Sequence, residues 1–203
     1  EGWMTSSLLA TVDETAAAHT SSFMTADMLN TITTGGTHML IPAGSSLPFF
    51  ENGNGVASNL PYTFHGNYIK RDAQQPSASL IRQLVMPWLN APYLWGGRTP
   101  LGVDCSGFVQ VIFKLMGIDL PRDAWQQAQQ GKGVKKFSEA QTGDLAFFND
   151  KEEIVHTGIL LGEGKIIHAS GKVRIDTIDK KGLINTETGK RLYKLEAVRR
   201  LIN

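Results

Sequence analysis

The hydrophobic pattern changes its period once along the chain, near Ser77, and that change sets what the chain can fold into. Downstream of it, Leu80, Ile81, Leu84, Val85 and Trp88 recur at helical spacing, with Ser77 or Ser79 placed to cap the first turn. Pro87 is expected to end or kink that helix, because a prolyl nitrogen has no hydrogen to donate. Residues 105–116 contain seven large apolar side chains and read as a helix buried nearly all round, stopped by Gly117. A third, amphiphilic helix is expected over 122–130, ending at Gly131. The remainder reads as strands over 145–148, 155–161, 165–169, 173–176 and 193–201. Helices followed by consecutive strands specify an α+β domain with an antiparallel sheet.

Upstream of the change the texture is different. Residues 1–72 are rich in Ser, Thr, Gly and Asn, with short apolar bursts at 39–41, 47–50 and 68–69 that read as brief strands. Gly35-Gly36, Ala43-Gly44 and residues 52–55 read as turns, and 8–18 as a helical patch. A small β-barrel, or part of one, is expected there. The polar stretch 70–76 is a linker, so the domains are 1–72 and 73–203. A formal net charge of +1 gives no bias toward nucleic acid or an anionic membrane. No apolar run approaches the roughly 20 residues that span a bilayer. The chain opens at Glu1-Gly2-Trp3 without an initiator Met or a signal-peptide pattern, as a processed product would.

There is one cysteine, so no disulfide can form within the chain. A lone Cys without context is a small buried hydrophobe. Cys105, however, lies in a polar Asp-Cys-Ser-Gly cluster that opens an otherwise apolar helix. Free N–H groups and the positive end of the helix dipole converge there and favour thiolate over thiol. The Asp104 carboxylate opposes that effect. Before the helix, Gly96-Gly97 gives backbone that can approach a ligand closely.

Two histidines complete a candidate catalytic set. His156 and His168 lie on two strands joined by Gly162-Glu163-Gly164. If those three residues form the loop, His168 lies opposite Gly158, with His156 one diagonal step away on the same face. A two-residue loop would put the rings on opposite faces. With the longer loop, His168 can bond one nitrogen of His156 while the other faces Cys105. Cys105, His156 and His168 offer no paired-ligand spacing and no fourth ligand for zinc, so no metal is expected.

The segments Tyr93-Leu94-Trp95-Gly96-Gly97, Asp104-Cys105-Ser106-Gly107-Phe108, Leu120-Pro121-Arg122-Asp123, Gly143-Asp144-Leu145, His156-Thr157-Gly158-Ile159 and Ile167-His168-Ala169-Ser170 resemble, in order and spacing, the NlpC/p60 cysteine peptidases. The resemblance covers 77–203. It implies a papain-like α+β core, a Cys105-His156-His168 catalytic set, no cofactor, and cleavage of peptidoglycan stem peptides, often between γ-D-glutamate and a diamino acid. Tyr93 matches the family tyrosine beside the nucleophile. The first region resembles the bacterial SH3-like modules that precede such domains, and Gly2-Trp3 resembles the closing strand of a module begun upstream. Relatives of that architecture look like γ-D-glutamyl-L-diamino-acid dipeptidyl-peptidases, in which the module narrows the site to stem peptides with a free N-terminal L-Ala. A buried ammonium needs carboxylate partners, which points to Asp104 and Asp123, with Ser106 and Arg122 lining the same pocket.

The expected partners are therefore peptidoglycan-derived peptides. An amidase or acyltransferase using the same three residues, and a non-catalytic wall-binding protein, are the rival readings. The expected place of work is the bacterial envelope, periplasm or exterior, with wall-fragment recycling in the cytoplasm as the alternative.

Overall fold

The computed structural model describes residues 11, 14–71, 73–151 and 153–202. Gly2-Trp3 and most of the expected patch before Glu14 lie outside the described residues. The chain divides between Ala73 and Gln74 into two compact units.

The first unit contains α1 (Glu14–Ala18) and six short strands: β1 (Phe23–Thr25), β2 (Leu29–Thr34), β3 (Thr37–Pro42), β4 (Asn54–Ala57), β5 (Leu60–His65) and β6 (Tyr68–Lys70). Four form an antiparallel sheet in the order β3-β2-β5-β4, and β1 pairs with β6. Gly35 and Gly36 turn β2 into β3 with φ of +54° and +76°, the two left-handed residues whose twist suits a two-residue hairpin. The core is Leu47, Phe50, Tyr62 and Phe64. Residues 47–50 are not the strand expected from their apolar run. The chain turns at Pro48-Phe49, with Phe49 at φ +48°, and the turn drives Leu47 and Phe50 inward together. In sequence, such a turn with two apolar anchors looks the same as a short strand.

The second unit begins with α2 (Ala78–Val85), capped by Ser77, whose hydroxyl accepts from the Leu80 N–H at 3.2 Å. Pro87 follows the end of the α-helix at Val85, as expected, without stopping the coiling altogether. It lies at the start of a 3₁₀ turn, Met86–Trp88, where its missing N–H leaves nothing unsatisfied. Ile81, Val85 and Trp88 face the core. The hairpin β7 (Arg98–Thr99) and β8 (Gly102–Val103) leads into α3 (Cys105–Leu115), which ends at Gly117 with φ +79°. α4 (Ala124–Gln127) is shorter than the helix expected over 122–130. Its exit tightens, because the N–H groups of Gln129 and Gln130 bond three residues back, to Gln126 and Gln127.

The sheet comprises β9 (Lys132–Gly133), β10 (Leu145–Asp150), β11 (Glu153–Gly162), β12 (Lys165–Ser170), β13 (Lys172–Asp179), β14 (Gly182–Ile184) and β15 (Arg191–Arg200), every pairing antiparallel. The strands run in sequence order from β10 to β15, and β10 also pairs with β15, closing the six into a barrel. Ala146, Phe148, Leu160, Ile166, Ile178, Leu183 and Val198 pack together on one face, while α3 packs against β11 and β12. Among the described residues, no helix is long and apolar enough to cross a membrane.

Candidate active site

Cys105 is the first residue of α3, with Asp104 as its N-cap: the Asp104 carboxylate accepts from the Gly107 N–H at 2.7 Å. The thiol is 7% exposed. Burial pushes its pKa up; the backbone N–H groups of Thr157, Ser106 and Cys105 itself pull it down, and Asp104 pushes it up. The net direction is upward, contrary to the lowering expected from the helix dipole. Removing a thiolate from water outweighs what the helix start returns. The Thr157 N–H beside the sulfur brings the strand position after His156 to the nucleophile.

The glycines before the helix serve the chain's own packing. A Cβ at Gly97 would strike the Gly102 carbonyl, and one at Gly107 would strike the Gly97 carbonyl. The close approach is therefore between the loop and the helix start, where the sequence suggested an approach to a ligand. Gly96, at φ +79°, donates its N–H to Asp104 at 2.7 Å.

β11 and β12 carry the histidines. Ile159 pairs with Ile167 and Leu160 with Ile166, which continues to His168 opposite Gly158. That register arises differently from the expected three-residue loop. Glu163 and Gly164 alone form the turn, both at positive φ (+52° and +66°), and Gly162 pairs with Lys165. The ladder then shifts between Leu160 and Gly162, and the extra residue, Leu161, restores the register a two-residue turn would have lost. A Cβ at Gly158 would lie 2.8 Å from the His168 Cβ, so only glycine leaves room for this ring.

His156 Nε2 and His168 Nδ1 are 2.9 Å apart, and His168 Nε2 is 3.1 Å from Asp176 Oδ2. His168 and Asp176 are fully buried and His156 is 5% exposed. Tyr193 stacks on His156 at 4.9 Å between centroids, and Phe148 lies 5.9 Å away. Burial, with His168 adding to it, holds the His156 pKa well below the usual imidazole value. Burial would raise Asp176, but His168, the Thr186 N–H and Arg174 more than reverse that, holding it below the carboxylate range. Both thiol and imidazole thus rest neutral.

These shifts fix a stability profile. Below pH about 6.5 the unfolded chain protonates His156 while the folded site refuses the proton, so stability falls as pH drops, by up to about 1.4 kcal/mol per unit. Asp176 acts in a separate window: its contribution is complete above about pH 4 and is lost only below that. Urea midpoints between pH 7.5 and 5 should fall in the wild type and change less in His156→Gln. Equal slopes in the two proteins would contradict the assignment.

Tyr93 is partly exposed, and its phenol is pushed up first by burial and then by the neighbouring Cys105 and Asp104. Asp104 is saturated with donors. Arg122 reaches it at 3.1 Å (Nη1 to Oδ1) and 2.5 Å (Nη2 to Oδ2), beside the Gly96 and Gly107 N–H groups. Burial would raise its pKa, but Arg122 and those N–H groups lower it overall. The Ser106 hydroxyl accepts from Arg122 at 2.9 Å and lies 3.4 Å from Asp104 Oδ1. Asp104, Ser106 and Arg122 therefore form one bonded cluster at the helix start, in which Asp104 supports Arg122 and has little capacity left for a substrate ammonium. Asp123 is exposed and caps α4 in a capping box with Gln126. Among the described residues no group of three or more His, Cys, Asp or Glu could hold a metal ion. A cavity of about 640 Å³ opens between α4 and the strands at Trp125, Ile154 and Glu196 and includes neither Cys105 nor His156.

Sequence reasoning missed Asp176 and Tyr193. The strand period that relates His156 to His168 also reaches Asp176: β12 and β13 meet at Gly171, Ile166 pairs with Asp176, and His168 is its diagonal neighbour. No comparable signal marks Tyr193, which reaches His156 only because β15 closes the barrel against β10.

A cysteine opening a buried helix, set against an antiparallel barrel that carries its histidines, is a papain-like arrangement. Residues 90–191 match the model of the NlpC/P60 family. The chain belongs to that family. It is 44% identical over 99 residues to a gamma-D-glutamyl-L-lysine dipeptidyl-peptidase of Bacillus subtilis (strain 168), covering 47% of this chain and 33% of that one. It is 35% identical over 130 residues to the protein of the same name from Bacillus cereus (strain ATCC 10987 / NRS 248), covering 61% and 39%. The chain thus spans two fifths or less of the length of these relatives. In fold, it is similar to the crystal structure of an NlpC/P60 family protein from Bacillus cereus ATCC 10987, with a TM-score of 0.79 and 22% identity over 95% of this chain and 68% of that one.

Proposed function

We propose that the chain is a cysteine peptidase that hydrolyses peptidoglycan stem peptides at the bond between γ-D-glutamate and a diamino acid, in fragments with a free N-terminal L-Ala. The observation that carries the chemistry is that the Thr157 N–H lies beside a helix-start thiol, while His156, its neighbour on the strand, bonds His168, which bonds a buried carboxylate. The activity for which the two Bacillus relatives are named supports the bond.

Cys105 Sγ attacks the γ-glutamyl carbonyl carbon as its proton passes to His156. N–H groups at the start of α3 stabilise the oxyanion. The carbon–nitrogen bond breaks, His156 returns the proton to the departing amine, and the thioester is hydrolysed by water that His156 deprotonates. Tyr93 lines the entry, and Asp123, free of the bonds that occupy Asp104, is the better receptor for the L-Ala ammonium. The N-terminal unit is read as the SH3-like module expected from its sequence.

Mass spectrometry of the products from L-Ala-γ-D-Glu-diaminopimelate peptides tests the reading. The free-amine peptide should give the dipeptide L-Ala-γ-D-Glu, and the N-acetylated one should be turned over at least tenfold more slowly. Cleavage at another bond, or transfer to an added amine in place of hydrolysis, would favour the amidase or acyltransferase reading.

A further inference from the structure

We propose that Asp176 sets the tautomer of both histidines and thereby decides which nitrogen of His156 is free to take the Cys105 proton. The inference rests on the reading of Cys105 and His156 as nucleophile and base, and it concerns a residue two rings away from the sulfur.

Asp176 lies on β13, fully buried. Its Oδ1 accepts from the Thr186 N–H at 2.9 Å and from Arg174 Nη2 at 3.1 Å, and Arg174 Nε lies 3.0 Å from Oδ2. Arg174 is itself paired with Glu187 at 3.4 Å. Surrounded by donors, the carboxylate is ionised and can only accept. Its 3.1 Å contact with His168 Nε2 is then a hydrogen bond only if Nε2 carries the hydrogen.

A neutral imidazole has one N–H, so His168 Nδ1 is left as an acceptor. That acceptor faces His156 Nε2 at 2.9 Å, which must therefore be the donor. The remaining nitrogen of His156, Nδ1, carries a lone pair and no proton. One buried carboxylate thus propagates a protonation pattern through two rings and leaves the base ready. Asp176 is a positioning residue and touches no reacting atom.

The isosteric variant Asp176→Asn reverses the logic. The two donors at Oδ1 favour the amide oxygen there, which turns the NH₂ group toward His168 Nε2. His168 would then donate from Nδ1, His156 would accept at Nε2, and His156 Nδ1 would hold a proton where the base should be empty.

The test is ring-nitrogen NMR of ¹⁵N-histidine-labelled protein at pH 8, with kcat and KM for the L-Ala-γ-D-Glu-diaminopimelate tripeptide. In the wild type, both His156 and His168 should show protonated Nε2 and unprotonated Nδ1. In Asp176→Asn both patterns should invert, with kcat falling by about 10²- to 10⁴-fold, the range seen when a wrong tautomer is imposed on a catalytic histidine, and KM changing by less than about threefold. Protonated Nδ1 on either ring of the wild type would overturn the proposal, and that spectrum decides the matter even if the variant fails to fold. A fall in kcat with tautomers unchanged, or inverted tautomers with kcat unchanged, would also overturn it. Failure of the underlying activity reading looks different: the wild type would leave the peptide intact, and the tautomer relay would then be judged by the rate at which iodoacetamide alkylates Cys105 in the two proteins.

Discussion

Replacing Cys105 by alanine is expected to reduce hydrolysis of the γ-D-Glu–diaminopimelate bond by about 10⁴-fold or more, the scale on which removal of a nucleophile acts. The side chain removed is small, and everything that shapes its surroundings stays. Asp104 still caps α3, Arg122 still holds Asp104, and Gly97 still packs against Gly107. Folding stability should accordingly move by no more than about 1 kcal/mol, the scale of a single buried methylene-sized group. Activity by product analysis and a thermal melt by circular dichroism, run side by side, separate chemistry from folding. Activity retained within tenfold of the wild type would remove Cys105 from the mechanism.

Asp104→Ala is expected to have the second largest effect, and in the opposite currency: stability first. The substitution deletes the N-cap of α3, typically about 1 kcal/mol, and removes the acceptor for two charge-assisted bonds from Arg122, each of about 1.5–3 kcal/mol. Arg122 keeps about a third of its side chain in water, so part of that second loss is recovered by solvent. A net loss of about 3 kcal/mol follows, read as a lower urea midpoint. Asp104→Asn, which keeps an acceptor for the Gly107 N–H, should recover about 1 kcal/mol of it. Preference for a free over an acetylated N-terminus should survive in whatever folded protein remains, because Asp104 has little capacity left for an ammonium. Unchanged stability together with lost amine preference would return the receptor role to Asp104.

Elements whose spacing repeats are legible in the sequence. The apolar runs of 80–88 and 105–116 and the alternation of the later strands mark α2, α3 and the antiparallel sheet because period and burial are the same fact seen twice. The diagonal relation of His156 to His168 was legible for a related reason, since strands have a period of two. What was hidden depended on tertiary closure. β14 has three residues, too few to alternate. The Leu47–Phe50 turn needed knowledge of what lay beneath it. The thiol's upward shift could not be read either, because a helix start is written in the local sequence and the depth of burial is not. Asp104, read as a receptor for substrate, already has its partners in Arg122, Gly96 and Gly107, and Arg122 lies eighteen positions away.

The hairpin at Glu163-Gly164 has a consequence for folding. Its turn length and the bulged Leu161 compensate each other, like two misprints that together leave a word readable. Were Leu161 to enter the ladder opposite Ile166, the same two strands would still pair, without the bulge. Each side chain of β11 upstream of the bulge would then project to the other side, and the first imidazole would leave the second. Such a slip touches no residue of the proposed reaction, yet it would silence that reaction as completely as loss of the sulfur.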